Sequence, residues 1–229
     1  MFAKYFNTLY SNWKEALNSK EFVVKLCITL TFYLIFFKVF RLAAEIMELR
    51  QGTQLHDFIL ELIPAKDFST FTFSLTYFAL VFYLIHVIPT PRRFVIGLQA
   101  YTLLLIFRMT TIYLVPLEPP IGMIVLIDPV SNFFMQSSSP SGYIVKDLFF
   151  SGHISAISLF YMVSAQKWVK QTLLFVAIIV ASLILVQHVH YVVDVIAAPF
   201  FSFLALRMTL ALEQKRVRFW NLSSQKQKV

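Results

Sequence analysis

The chain has 229 residues, of which 58% are hydrophobic and only 14% charged, with 25 Phe and a mean hydropathy of +0.70. That composition excludes a water-soluble globular domain and points to a chain that crosses a bilayer repeatedly. The net charge of +8 lies between apolar runs, so it marks one membrane face rather than a nucleic-acid partner. A lone cysteine, Cys27, excludes an internal disulfide.

Residues 1–20 carry Phe2, Phe6, Leu9, Trp13 and Leu17 at three- and four-residue spacing with Lys4 and Lys14 nearby, which predicts an interfacial amphipathic helix. Six apolar runs follow: Phe22 to Ile46, Phe68 to Ile88, Phe94 to Val115, Leu148 to Gln166, Thr172 to His188 and Tyr191 to Leu212. Runs of about 20 residues fit a hydrocarbon slab of about 30 Å. The expected architecture is therefore an all-α, polytopic membrane bundle: six transmembrane helices over residues 21–212, followed by a basic tail at 213–229. The first run is too long for a cleavable signal peptide and ends in Glu45 and Glu48.

Basic residues set the expected orientation. One face collects Lys4, Lys14, Lys20, Arg92, Arg93, Lys167, Lys170 and the basic residues between Lys215 and Lys228, against Arg50, Lys66 and Lys146 on the other. This bias places both termini in the cytoplasm. Trp13, Trp168 and Trp220 fall on that same face at span boundaries. The sequon Asn221-Leu222-Ser223 would then never meet the glycosylation machinery. Cytoplasmic connections are short, whereas residues 47–67 and 116–147 form longer outer loops. The second is rich in Pro and Ser (Pro116, Pro119, Pro120, Pro129, Ser137 to Gly142) and reads as a structured rim.

Ionisable groups within apolar sequence are costly and usually functional. At about 1.5 Å per residue, Arg108, His153, His190 and Asp194 all fall within roughly 10 Å of the outer surface. Lys25 and Arg207, in the cytoplasmic half, read as snorkelling anchors. His190 and Asp194 are four apart, so a helix would put them on one face and let the carboxylate orient the imidazole. Ser151-Gly152-His153 opens the fourth run, where a helix N-terminus favours an anion and Gly152 would let one approach the backbone. Arg108 offers a bidentate phosphate grip or an interhelical ion pair. Lys146 and His188 complete the expected phosphate-binding set, with His188 open also to a capping role. Asp147 reads as a cap for the fourth span, His86 as a packing residue and His56 as solvated.

A metal site built from His153, His188, His190 and Asp194 is disfavoured, because His-x-His on a helix points its side chains apart. A proton-coupled transporter would need polar groups continuing into the cytoplasmic half. No cofactor and no metal are expected.

These residues resemble a known family, the sphingomyelin synthase-related branch of the type 2 phosphatidic acid phosphatase superfamily. The likeness rests on Asp147-x-x-Phe150-Ser151-Gly152-His153, on His190-Tyr191-x-x-Asp194-Val195, and on Arg108-x-x-Thr111 followed by Leu114-Val115-Pro116 and Pro119. Lys146 stands where the synthases have Gly, and the Arg that the phosphatase branch places shortly upstream of the second histidine is absent. The resemblance implies a six-span fold, His190 as a nucleophile that becomes phosphorylated, His153 as the acid that protonates the leaving alcohol, and Asp194 as the group orienting His190. It also implies phospholipid and lipid-alcohol substrates within the bilayer, and a site on the extracytoplasmic side.

Overall fold

The computed structural model describes residues 2–127 and 143–226. Pro129 and the Ser-rich stretch from Ser137 to Gly142 lie outside the described residues, as do the side chains beyond Gln214, among them Trp220 and Asn221. Eight helices occur among the described residues: α1 (Phe2–Leu17), α2 (Lys20–Glu48), α3 (Phe58–Glu61), α4 (Ser69–Val87), α5 (Pro91–Leu114), α6 (Gly152–Val163), α7 (Lys167–Val186) and α8 (Val192–Lys226). There is no strand among these residues, only an isolated bridge between Thr53 and Leu117. The fold is all-α, and five helices (α2, α4, α5, α7 and α8) are long and apolar enough to cross a membrane.

The fourth apolar run behaves differently. It becomes helical only at Gly152 and makes a helix of 12 residues, about 18 Å long and too short to span the slab alone. The reason is upstream: the Phe149 and Phe150 carbonyls are bonded to Thr111 and Arg108 of α5 rather than to a helical turn. Leu148, Phe150 and Ser151 are nonetheless buried, which non-helical backbone at membrane depth requires. The sixth run continues as helix to Lys226, well past Leu212.

Short as it is, α6 is the hub, packing against α4, α5, α7 and α8. Its Ile154, Ile157, Leu159, Phe160 and Val163 join the main apolar core, and the Phe160 ring stacks on Tyr83 at 4.4 Å between centroids. Gly97 of α5 makes room for that tyrosine: a Cβ there would lie 2.2 Å from the Tyr83 hydroxyl. By contrast, α2 packs mainly along α5 and α1 and leaves most of its apolar surface exposed, as a helix facing acyl chains would.

Helix α1 is tied to the far end of α4. Tyr5, Asn12 and Trp13 donate to the carbonyls of Ile85, Pro89 and Ile88 at 2.8, 2.7 and 2.8 Å. His86 packs its ring between Phe82 and Trp168. Lys25, read as a snorkelling cation, is instead paired with Glu213 of α8.

Candidate active site

Two chain segments meet at the opposite end of the bundle: the turn leading into α6 and the turn leading into α8. The Ser151 N–H donates to the Asp194 carbonyl at 3.1 Å, fastening one turn to the other. His190 lies just before α8 rather than on it, so the pair is not a helical i,i+4 contact. Asp194, in the third position of α8, reaches back to the chain ahead of the helix, accepting from the Tyr191 N–H at 3.0 Å and facing His190 Nδ1 at 3.3 Å through the same oxygen, Oδ2. This reach-back is the N-terminal half of a capping box, here combined with holding an imidazole. Asp194 is fully buried and His190 nearly so. With Nδ1 carrying the proton, His190 keeps the lone pair on Nε2.

His153, the second residue of α6, brings its ring to 6.5 Å from that of His190, at 71°, and packs edge-on against Phe73 of α4. The two imidazoles thus face one another across the junction of the two turns, near enough to act on a common group placed between them. Three buried polar atoms have no hydrogen-bond partner among the described residues: Asp194 Oδ1, Ser151 Oγ and Thr72 Oγ1. Orphaned buried polar atoms are uncommon and mark places where a ligand or water belongs.

Arg108 is buried and bonded to the approach to α6. Nη1 donates to the Phe150 carbonyl and Nη2 to Asp147 Oδ1 at 2.5 Å, with the guanidinium beside the Phe40 and Phe150 rings. Asp147 is therefore the partner of Arg108 and not the cap of α6, whose first turn receives no side-chain cap from Ser151. Gly152 also makes room for Arg108. A Cβ there would come within 2.7 Å of Arg108 Nη1, so the glycine admits the guanidinium.

The other two expected phosphate ligands are engaged elsewhere. His188 has a left-handed φ of 56°, and its ring nitrogens face the carbonyls of Ile121 and Ile63 at 3.0 and 2.9 Å. It straps the two outer loops together. Lys146 donates to Glu118 Oε1 and the Arg50 carbonyl at 2.8 and 2.7 Å. Among the described residues no group of three or more His, Cys, Asp or Glu side chains is arranged to hold a metal ion.

Several positioning residues escaped the sequence reading. Asp57 uses Oδ1 to cap α3, accepting from the Ile59 and Leu60 N–H groups, while Oδ2 accepts from the Val192 N–H at 2.8 Å, capping α8. The Tyr191 hydroxyl donates to the Glu118 carbonyl and accepts from the Leu55 N–H. Gln187, fully buried, donates to Ser69 Oγ and the Ile124 carbonyl and accepts from the Phe68 N–H. Apart from the local cap of α3, each contact spans many residues of sequence, so no local pattern announces it. In the outer loops, Lys146 and then the Gly52 N–H hold the Glu118 carboxyl below its ordinary range, and the Ser69 hydroxyl and N–H do the same for Asp67.

No curated protein matches the chain. Residues 146–210 match the family model described as PAP2 superfamily C-terminal, a segment that contains both turns and all of His153, His190 and Asp194.

Proposed function

We propose that the chain is an integral membrane phosphotransferase of the sphingomyelin synthase-like kind, moving a phospholipid headgroup phosphoryl group to a lipid alcohol such as ceramide or diacylglycerol. The observation that carries the reading is the buried Asp194 paired with His190, whose ring centroid lies 6.5 Å from that of His153. In this reading α6 and the buried segment ahead of it form a fourth crossing, giving six spans. Helix α1 lies in the interface, both termini are cytoplasmic and the histidines open toward the extracytoplasmic leaflet.

His190 Nε2 attacks phosphorus, the bond from phosphorus to the diacylglycerol oxygen breaks, and His153 supplies the proton to that oxygen. The product is a phosphohistidine still carrying the headgroup. His153, now neutral, takes the proton of the acceptor hydroxyl as its oxygen displaces His190 from phosphorus. Asp194 holds the Nδ1 proton throughout and stabilises the charge that the ring gains. The first turn of α6 and Arg108 set a positive field around the phosphoryl oxygens, with Ser151, Gly152, Lys146 and His188 shaping the surrounding walls. Water in place of the alcohol would make the same machinery a lipid phosphatase or phospholipase C, and the superfamily match is equally compatible with that outcome.

The test is to incubate purified protein with phospholipid labelled in the headgroup, with and without ceramide. Label in a new lipid supports transfer; label only in water-soluble product supports hydrolysis; no turnover in a folded protein refutes both. His190→Ala should abolish the phosphoenzyme, and His153→Ala should slow both half-reactions by roughly 10²- to 10⁴-fold.

A further inference from the structure

On the lipid-facing side, α2, α5 and α8 part to leave a groove of about 380 Å³. Its walls are apolar, from Ile28, Phe32 and Phe36 of α2, Leu103 and Ile106 of α5 and Leu212 of α8. The threonines that line it bury their polarity. Thr102 and Thr209 donate to carbonyls of their own helices, and Thr29 accepts from Gln99 Nε2 at 3.0 Å. Among the described residues that line it, Glu213 alone is charged, and it pairs with Lys25 at one end of the groove.

The groove's direction follows from the helices that bound it. Ile106 lies two residues below Arg108 on α5, about 3 Å along the axis, whereas Thr209 lies fifteen residues beyond Asp194 on α8, about 22 Å away. The groove thus starts just beneath the polar cluster and ends, at its charged mouth, on the far side of the bundle. A helix, at about 10 Å across, would need several times this volume over the same length. Water gains nothing from such walls. A single flexible hydrocarbon chain fits both the volume and the lining.

The charges choose the leaflet, because a tail descending from the histidine side would put its methyl end against Lys25 and Glu213. A lipid standing in the opposite leaflet puts its headgroup there instead. Lys25 has three N–H donors and Glu213 two acceptor oxygens, so both keep capacity beyond their mutual bond. We infer that this groove binds one acyl chain of a zwitterionic phospholipid anchored in the leaflet opposite His190, with its phosphate at Lys25 and its ammonium at Glu213. Such a lipid is not the one that reacts, and the inference stands apart from the proposed transfer.

The test uses the full chain, delipidated in mild detergent and then offered phosphatidylethanolamine or phosphatidylglycerol, with bound lipid counted by native mass spectrometry. One phosphatidylethanolamine per chain should be retained, about tenfold better than phosphatidylglycerol, the difference expected of one charge-assisted contact. Leu103→Trp, which obstructs the groove midway, should abolish that preference. As a check that needs no variant, phosphatidylethanolamine with a photoreactive acyl chain should label peptides of α2, α5 and α8 in the unaltered protein. Equal retention of both lipids, undiminished retention in Leu103→Trp, or labelling confined to other helices would overturn the inference. So would a dimer contact that seals the groove. Retention is read without turnover, so these outcomes do not depend on the transfer reaction.

Discussion

Asp194 offers the sharpest prediction, because its two oxygens have different surroundings. Oδ2 takes both the Tyr191 N–H and His190 Nδ1, while Oδ1 is buried without a partner among the described residues. In Asp194→Asn the amide oxygen can take the place of Oδ2, keep both contacts and leave the His190 tautomer intact, with the NH₂ group turned into the orphaned position. What is lost is the negative charge, and so a charge-assisted bond of about 1.5–3 kcal/mol, or roughly 10- to 150-fold in rate. Asp194→Ala removes the orienting group and leaves its buried partners stranded, about 3–5 kcal/mol and roughly 150- to 5,000-fold. The assay is rapid-quench formation of acid-labile phosphoenzyme from labelled phospholipid, with circular dichroism to confirm folding. Equal losses in the two variants would refute the argument that one oxygen serves both donors, and more than half of wild-type rate in either would remove Asp194 from the reaction.

Gly152→Ala should displace the Arg108 guanidinium and lower stability by about 1–3 kcal/mol as an overpacked site does, read as a lower Tm in detergent. The double variant Gly152→Ala, Arg108→Lys should recover part of that loss, since the slimmer ammonium leaves room for the methyl. Asp57→Ala strips the caps from α3 and α8, and each cap is worth about 0.5–2 kcal/mol. Protease sensitivity should rise at residues 51–63, and Asp57→Asn should keep more of the protection than Asp57→Ala. For Glu118 the sign follows from its lowered folded-state value. Its contribution is present above the unfolded carboxylate value and is lost as pH falls through the lower folded one. Glu118→Gln should therefore reduce stability at neutral pH and flatten its decline in acid, measured by thermal melting across that range.

Composition and apolar runs were enough to locate the long helices, because burial in lipid leaves the backbone no alternative to bonding within the helix. They misplaced the start of α6, because Phe149 and Phe150 are as apolar as any helical pair while their carbonyls are taken by side chains of another helix. The same blindness to distant partners hid Asp147 from Arg108 and Lys25 from Glu213. His153, His190 and Asp194 were legible as a set because each is expensive to bury, and the structure brings the three together. Their geometry was not legible: Asp194 meets His190 by reaching back past a helix start, which a four-residue spacing read as one helical face does not describe. His188 shows the limit from the other side. The sequence left it open between a phosphate contact and a helix cap, and a left-handed backbone angle turns its ring to the carbonyls of two loops.

One carboxylate, that of Asp57, fastens both a surface loop and the first turn of the helix that carries Asp194. Lifting the loop would bare the Val192 amide, and the neighbouring ties of Thr53 to Pro116 and Glu118, and of Leu55 to Tyr191, would break with it. Each such group left unpaired costs about 1–3 kcal/mol, so this stretch forms a fixed roof rather than a door. A motion that displaced it would have to break several of these bonds at once, so the start of α8 and the loop that caps it move together or not at all.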